Sequence, residues 1–232
     1  MSFKEYFQEC IQQGRKVLTV HESKEILTKL GLPVNISKLA SSAQEAKEIA
    51  KEIGFPCVMK ILSKDIIHKT DFGGVVVGIR NEEDAFATYN KMVETIKEKS
   101  PQATVEGVVV ENMIQDGTEV IIGSTIDPIF GKVLMFGLGG IFVEVMKDVS
   151  FRLIPISEKD AGDMLNDIRA AKLLEGIRGR PPVDKKALVD ILITISQFVD
   201  TNDEVAEVDL NPVFALPKGA SIVDARIVLK RE

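Results

Sequence analysis

Apolar positions along this chain recur with two periods that take turns. Ser42-Ala-Gln-Glu45 has the form of a capping box, and Ala43, Ala46, Ile49, Ala50 and Ile53 then recur at helical spacing until Gly54 and Pro56 stop the run. A second helix starts at Asn81. It carries Glu82, Glu83 and Asp84 where negative charge favours the helix dipole, and it shows Phe86, Tyr89, Met92, Val93 and Ile96 on one face. The first part reads helix (about 22–30), strand (34–38), helix, strand ending at Lys60, strand, helix. Gly107 to Met113 is a strand ending in a polar hinge. Beyond it the pattern predicts strands at 118–125, 132–137 and 151–155. Helices follow from Ser157 to about Leu174 and from Asp184 to about Val199, then strands at 204–210, 213–216 and 221–227. Runs of strands with helices to one side predict an α+β protein of two lobes. The expected division is an N-terminal helix and first subdomain over 1–110 and a second subdomain over 111–232. A cleft between such lobes is the default ligand site.

At 232 residues and 45% hydrophobic content the chain can bury a substantial core. The net charge of -6 and the lack of a basic arm argue against a nucleic-acid partner. The least polar window, Val133 to Val143, is short of the ~20 residues that span a bilayer, so no membrane partner is expected. The start mixes both charges and lacks a signal-peptide apolar region, which predicts a cytoplasmic location. Cys10 and Cys57 are far apart with no clustered histidines, so neither a disulfide framework nor a zinc site is suggested.

The chemistry concentrates in Pro56-Cys-Val-Met-Lys60-Ile-Leu-Ser-Lys-Asp-Ile-Ile-His68-Lys69-Thr-Asp-Phe-Gly73-Gly74. A lysine at a strand end offers a point charge to phosphate oxygens, and paired glycines let backbone N–H groups approach a ligand closely. His68 can exchange protons or accept a phosphoryl group near neutral pH. The same residues also suit an ordinary hairpin with a surface histidine. Phe136-Gly137-Leu-Gly139-Gly140 lacks the third glycine of a dinucleotide fingerprint, since position 142 is Phe. Its glycines shape a turn beside a ligand or permit close strand packing. In Glu207-Val-Asp209-Leu-Asn211-Pro212, alternation puts Glu207, Asp209 and Asn211 on one strand face, and Pro212 is expected to end the strand. Ser221-Ile-Val-Asp224-Ala-Arg226 reads as its antiparallel neighbour. Hard oxygen ligands on adjacent strands with open positions suit magnesium, and a solvated strand face is the alternative.

Pro56-Cys-Val-Met-Lys60, Glu111-Asn-Met113-Ile114-Gln-Asp-Gly-Thr-Glu119 and Asp209-Leu-Asn211-Pro212 followed by Asp224 resemble an ATP-grasp nucleotide site in the right order. Ile66-Ile-His68-Lys-Thr-Asp-Phe-Gly-Gly-Val, Asp127-Pro-Ile-Phe-Gly131 and Phe136-Gly-Leu-Gly-Gly-Ile-Phe-Val-Glu144 are similar to the ATP-grasp part of the ADP-forming acetyl-CoA synthetases, relatives of succinyl-CoA synthetase. The resemblance covers roughly residues 15 to 230. It implies an ATP-grasp fold of two lobes with ATP or ADP in the cleft. Lys60 would neutralise the α- and β-phosphates, and Gly73 and Gly74 with the His68-Lys69-Thr70 loop would cover the terminal phosphate. Glu111, Met113 and Ile114 would form the adenine hinge and Glu119 would accept the ribose hydroxyls. Asn211 and Asp224 would hold Mg2+, with Asp209 beside them. Arg152 would serve a phosphate or be a structural ion-pair partner. The resemblance further implies an acid-thiol ligase that works only with an alpha subunit. That subunit carries the CoA-binding and ligase domains and a phosphohistidine loop, in an alpha2beta2 heterotetramer. The phosphoryl group would pass between the alpha-subunit phosphohistidine and ADP, with Lys60 and His68 as the catalytic residues here. A stand-alone ATP-grasp carboxylate ligase and a non-catalytic nucleotide-sensing module are the rival readings.

Overall fold

The computed structural model describes residues 2–63, 65–66, 69, 72–114, 117–140, 147–177 and 179–230. His68, Thr70 and Glu144 lie outside the described residues. Two compact units result. One comprises 35–115, and the other joins 1–34 to 116–232.

The first unit is a four-stranded antiparallel sheet with two helices on one face. Its strands are β1 (Ser37–Ala40), β2 (Cys57–Leu62), β3 (Val75–Ile79) and β4 (Gly107–Asn112), in the order β1-β4-β2-β3. Ser42 and Asn81 cap the helices α3 (Ala43–Ile53) and α4 (Glu82–Lys99), each accepting the N–H three residues on. Alternation in β2 sends Cys57, Met59 and Ile61 into the core with Val108 and Val110 of β4 and Ala46, Ala50, Met92 and Ile96 of the helices. Val58, Lys60 and Leu62 face the other way, half-buried.

The second unit contains α1 (Phe3–Gln12) and α2 (Val20–Lys29), then β5 (Thr118–Asp127), β6 (Gly131–Leu138), β7 (Val149–Leu153), α5 (Glu158–Asp167), α6 (Lys185–Thr201), β8 (Val205–Ala215), β9 (Ala220–Ile222) and β10 (Arg226–Leu229). Its sheet runs β10-β8-β5-β6-β7, with β9 also on β8. The first 34 residues therefore group with the C-terminal half, against the expected division at 110/111. The cause is apolar burial. Phe7, Cys10, Ile26 and Leu27 share one core with Phe198 of α6 and Val208 and Ile227 of the sheet, and burying such side chains contributes roughly 1.5–3 kcal/mol each. Residues 16–18 extend the sheet edge, where Leu229 donates to the Lys16 carbonyl at 2.7 Å and Leu18 to that of Ile227 at 3.0 Å.

Three expected elements differ. The helix expected over 157–174 stops at Asp167, and a 3-10 turn follows over Ala171–Glu175. The Asp148 carboxylate accepts the N–H groups of Arg169 (2.7 Å) and Ala170 (2.9 Å), drawing both away from helical partners. Strand β8 runs through Pro212 to Ala215, because its partner β5 shifts register between Val120 and Ile122, beside the position that lacks an N–H. The strand expected over 221–227 is two short strands, β9 and β10, interrupted at 223–225.

Candidate active site

The expected residues fall into two sets, one on each unit. In the first unit the antiparallel register sets Lys60 opposite Val109 and Val58 opposite Glu111, so Lys60 and Glu111 share a sheet face as diagonal neighbours. Lys60 Nζ stands 2.6 Å from Glu111 Oε2, with the side chains 27% and 6% exposed. The pair holds the ammonium in place and leaves it other donors for a ligand. Glu111 was expected in the hinge that reads adenine. It lies inside β4, between Ser37 and Val58, with its carboxylate against Lys60. The stretch that follows β4 holds Met113, whose N–H donates to the Pro56 carbonyl at 3.3 Å, and Ile114, and both side chains are half-buried.

The paired glycines have different causes. Gly73 has φ 75° and needs glycine for conformation. A Cβ on Gly74 would stand 2.7 Å from Ile61 Cγ2 and 2.9 Å from the Lys69 carbonyl oxygen, so glycine there is a matter of space. The Gly74 N–H donates to the Lys69 carbonyl at 2.7 Å, and its own carbonyl accepts from Ile61 at 2.8 Å. That N–H is taken up by the Lys69 carbonyl, and Lys69 is half-buried.

In the second unit Glu119 borders a cavity of about 650 Å³ whose lining includes Leu138, Gly139, Gly140, Ile177 and Arg180. The Gly139 N–H donates to the Glu119 carbonyl at 2.7 Å, and a Cβ on Gly139 would meet Glu119 Cβ at 3.0 Å. The Gly139-Gly140 pair thus permits close packing and also shapes the cavity wall. The far wall comes from the loop between the 3-10 turn and α6. Gly176 (φ 84°) is needed there because a Cβ would come within 2.4 Å of the Arg180 carbonyl oxygen. Its signal in the sequence is two arginines, two glycines and a Pro-Pro pair packed into seven residues, 176–182. Arg152 is an ion-pair partner: its guanidinium meets Asp167 Oδ2 at 2.5 Å and donates to the Phe151 carbonyl.

Strands β9 and β10 continue one register against β8, since Val213 faces Ile222 and Asp209 faces Arg226. Carried across the gap, that register sets Asp224 opposite Asn211, and the Val223 N–H bonded to the Pro212 carbonyl at 3.1 Å agrees with it. Burial holds the Asp209 carboxyl above the usual carboxylate range. Arg226 opposes the shift, and the charges of Glu207 and Asp224 add to it. Arg226 is itself ion-paired with Glu207. Among the described residues no three His, Cys, Asp or Glu side chains converge on one point, so Asp209 does not complete a carboxylate cage. A carboxylate and an amide on facing strand positions are a fitting donor set for Mg2+.

A model of the ATP-grasp domain matches residues 9–229. The chain is 46% identical over 226 residues to acetate–CoA ligase [ADP-forming] II subunit beta of Pyrococcus furiosus, covering 96% of each. The chain belongs to the ATP-grasp family, in its branch of ADP-forming acetate–CoA ligase beta subunits. The 4-hydroxybutyrate–CoA ligase [ADP-forming] of Nitrosopumilus maritimus is 42% identical, and there the match covers 97% of this chain but 33% of the relative. Among solved structures, acetyl-coenzyme A synthetase 1 of Candidatus Korarchaeum cryptofilum with coenzyme A and Ca-AMPCP superposes with a TM-score of 0.89 at 46% identity, covering 99% of this chain and 100% of that one. Another structure of that enzyme, matching with a TM-score of 0.85 at 43% identity and the same coverage, holds Mg-AMPPCP with its phosphohistidine segment pointing towards the nucleotide binding site. The family reading of the sequence thus holds. No helix among the described residues is long and apolar enough to cross a membrane.

Proposed function

We propose that this chain is the nucleotide-handling subunit of an ADP-forming acyl-CoA synthetase acting on acetate, in an alpha2beta2 assembly in the cytoplasm. The reaction is acetyl-CoA, ADP and phosphate to acetate, CoA and ATP, reversibly. The observation that carries the reading is the end-to-end match to a separate beta subunit, beside a match to only a third of a single-chain relative.

In the transfer step the N–P bond of a phosphohistidine on the partner subunit breaks, a bond to a β-phosphate oxygen of ADP forms, and the released ring nitrogen takes up a proton from solvent, which returns the histidine as neutral imidazole. Lys60, steadied by Glu111, sets a positive charge against the α- and β-phosphates, and Glu119 holds the ribose hydroxyls. Asn211 and Asp224 would hold Mg2+ with Asp209 beside them, and the metal would supply charge neutralisation for the phosphates. Alignment and charge carry most of the rate, because a metaphosphate-like transfer leaves little covalent work. His68, five residues before Gly73 in the sequence, either receives the phosphoryl group between the two sites or donates a hydrogen bond to it.

The test is reconstitution. The isolated chain is expected to bind Mg-ADP and to make no acetyl-CoA, and activity is expected on addition of the alpha subunit. Acetyl-CoA formed by the purified chain alone would favour the stand-alone ligase and overturn the two-subunit reading.

A further inference from the structure

The Asp127-Pro-Ile-Phe-Gly131 turn between β5 and β6 has no part in the nucleotide site. Asp127 Oδ1 accepts the N–H groups of Ile129 (2.8 Å) and Phe130 (2.9 Å), locking the turn from one end. Gly131 locks it from the other with φ 82°, where a Cβ would meet nothing, so glycine serves the backbone conformation alone. The locked turn holds Ile129 84% and Phe130 67% exposed, the two highest values among the large apolar side chains described. From there the apolar surface continues along the sheet face that the helices leave open. Val133 and Met135 of β6 lie opposite Leu153 and Phe151 of the edge strand β7, and those two are 57% and 52% exposed. Four of the thirteen exposed large apolar side chains described, Ile129, Phe130, Phe151 and Leu153, gather at this corner. A soluble chain rarely shows such a cluster without a partner for it. A rigid turn that displays an aromatic side chain has already met the ordering cost that binding imposes.

We propose that this corner docks the alpha subunit. The proposal rests on the functional reading above and adds where the partner sits. In the single-chain relative this domain is a third of the chain, so the remainder is attached covalently. A two-chain enzyme must hold the equivalent partner by surface alone, which requires burying on the order of 1,000 Å² or more around a few apolar anchors. The register supports the choice of occupant. Phe151 lies opposite Met135, Met135 opposite Gly123, and Gly123 opposite Asp209, so all four share one row on one face of the sheet. At about 4.8 Å per strand, Phe151 stands about 14 Å from the carboxylate row of the metal site. A subunit seated on Phe151 and Leu153 is thus within a loop's reach of the place where the phosphoryl group is received.

The test uses the full chain and the purified alpha subunit, with association followed by titration calorimetry and Mg-ADP affinity measured on the isolated chain. Phe130→Ala and Phe151→Ala are each expected to weaken association at least tenfold, and Ile129→Asp/Phe130→Asp more so, with Mg-ADP affinity within twofold of wild type. The alanine variants keep the test open if the aspartate pair fails to fold. Unchanged association in the alanine variants would overturn the docking assignment alone. So would loss of self-association of the isolated chain with partner binding intact, which would give the corner to a second copy. A wild-type chain that binds no alpha subunit would overturn the functional reading and the docking proposal with it.

Discussion

Replacing Lys60 by Met removes the ammonium and keeps most of the aliphatic stem. It also leaves the Glu111 carboxylate, 6% exposed, without its lysine. At 2.6 Å and an effective dielectric near 20, the gross attraction is roughly 6 kcal/mol. Desolvation of both groups offsets a large part of it, so Lys60→Met is expected to cost about 2–3 kcal/mol of stability. Nucleotide affinity is expected to fall by about 1.5–3 kcal/mol, the scale of a lost hydrogen bond to a charged group, or roughly 10- to 150-fold. The two effects separate in the double variant Lys60→Met/Glu111→Leu, which removes the carboxylate as well but not the need for a cation at the phosphates. Urea denaturation should show at least half the lost stability recovered in the double variant, while calorimetric titration with Mg-ADP shows affinity still reduced. Unchanged stability in Lys60→Met would refute the structural pairing, and wild-type affinity in the double variant would refute the phosphate role.

Three further outcomes follow from the same geometry. Asp224→Asn and Asn211→Ala should each raise the Mg2+ concentration needed for half-maximal activity of the reconstituted enzyme, and the pair together should cost less than the sum because the two face each other; normal Mg2+ dependence in both singles would return them to the solvated-face reading. Burial opposes the charge on Glu22, yet hydrogen bonds from Arg15, Tyr6 and Thr19 hold its pKa down to about 2 from 4.5, so it stabilises the fold by about 2–3 kcal/mol above pH ~5. That contribution should be lost as pH falls towards 2, and urea midpoints across this range should be flatter in Glu22→Gln. Gly74→Ala should cost about 1–3 kcal/mol by chemical denaturation, from the 2.7 Å approach to Ile61, against about 1 kcal/mol for Gly73→Ala, where only conformation is at stake.

What was legible in the sequence is what depends on near neighbours. The alternations at 57–61 and 207–211 put Lys60, Asp209 and Asn211 on the faces they occupy because side-chain direction in a strand has a period of two. Ser42 and Asn81 announced their helices through bonds to the residue three positions on. What was not legible depends on distant chain. The break after Asp167 is made by Asp148, about twenty residues upstream, and the Lys60–Glu111 pair exists only in the register of β2 on β4. Phe3–Gln12 carries its own Ser2/Glu5 capping box, but where it docks is decided by Phe198, whose ring stands 6.1 Å from that of Phe7. Arg180 reaches the cavity wall through a loop whose path is set by the Gly176 contact and by no periodicity.

The most direct measurement is rapid quench of the reconstituted complex, with the alpha subunit prelabelled on its phosphohistidine and Mg-ADP added. Label should pass to ATP in a single turnover with the wild-type chain, and His68→Ala should stop the transfer while acetyl phosphate formation on the alpha subunit continues. Transient acid-labile label on this chain would assign His68 a covalent relay, and its absence would assign it the hydrogen bond. Labelled ATP formed at the wild-type rate with both Lys60→Met and His68→Ala would contradict the assignment of phosphoryl transfer to this subunit.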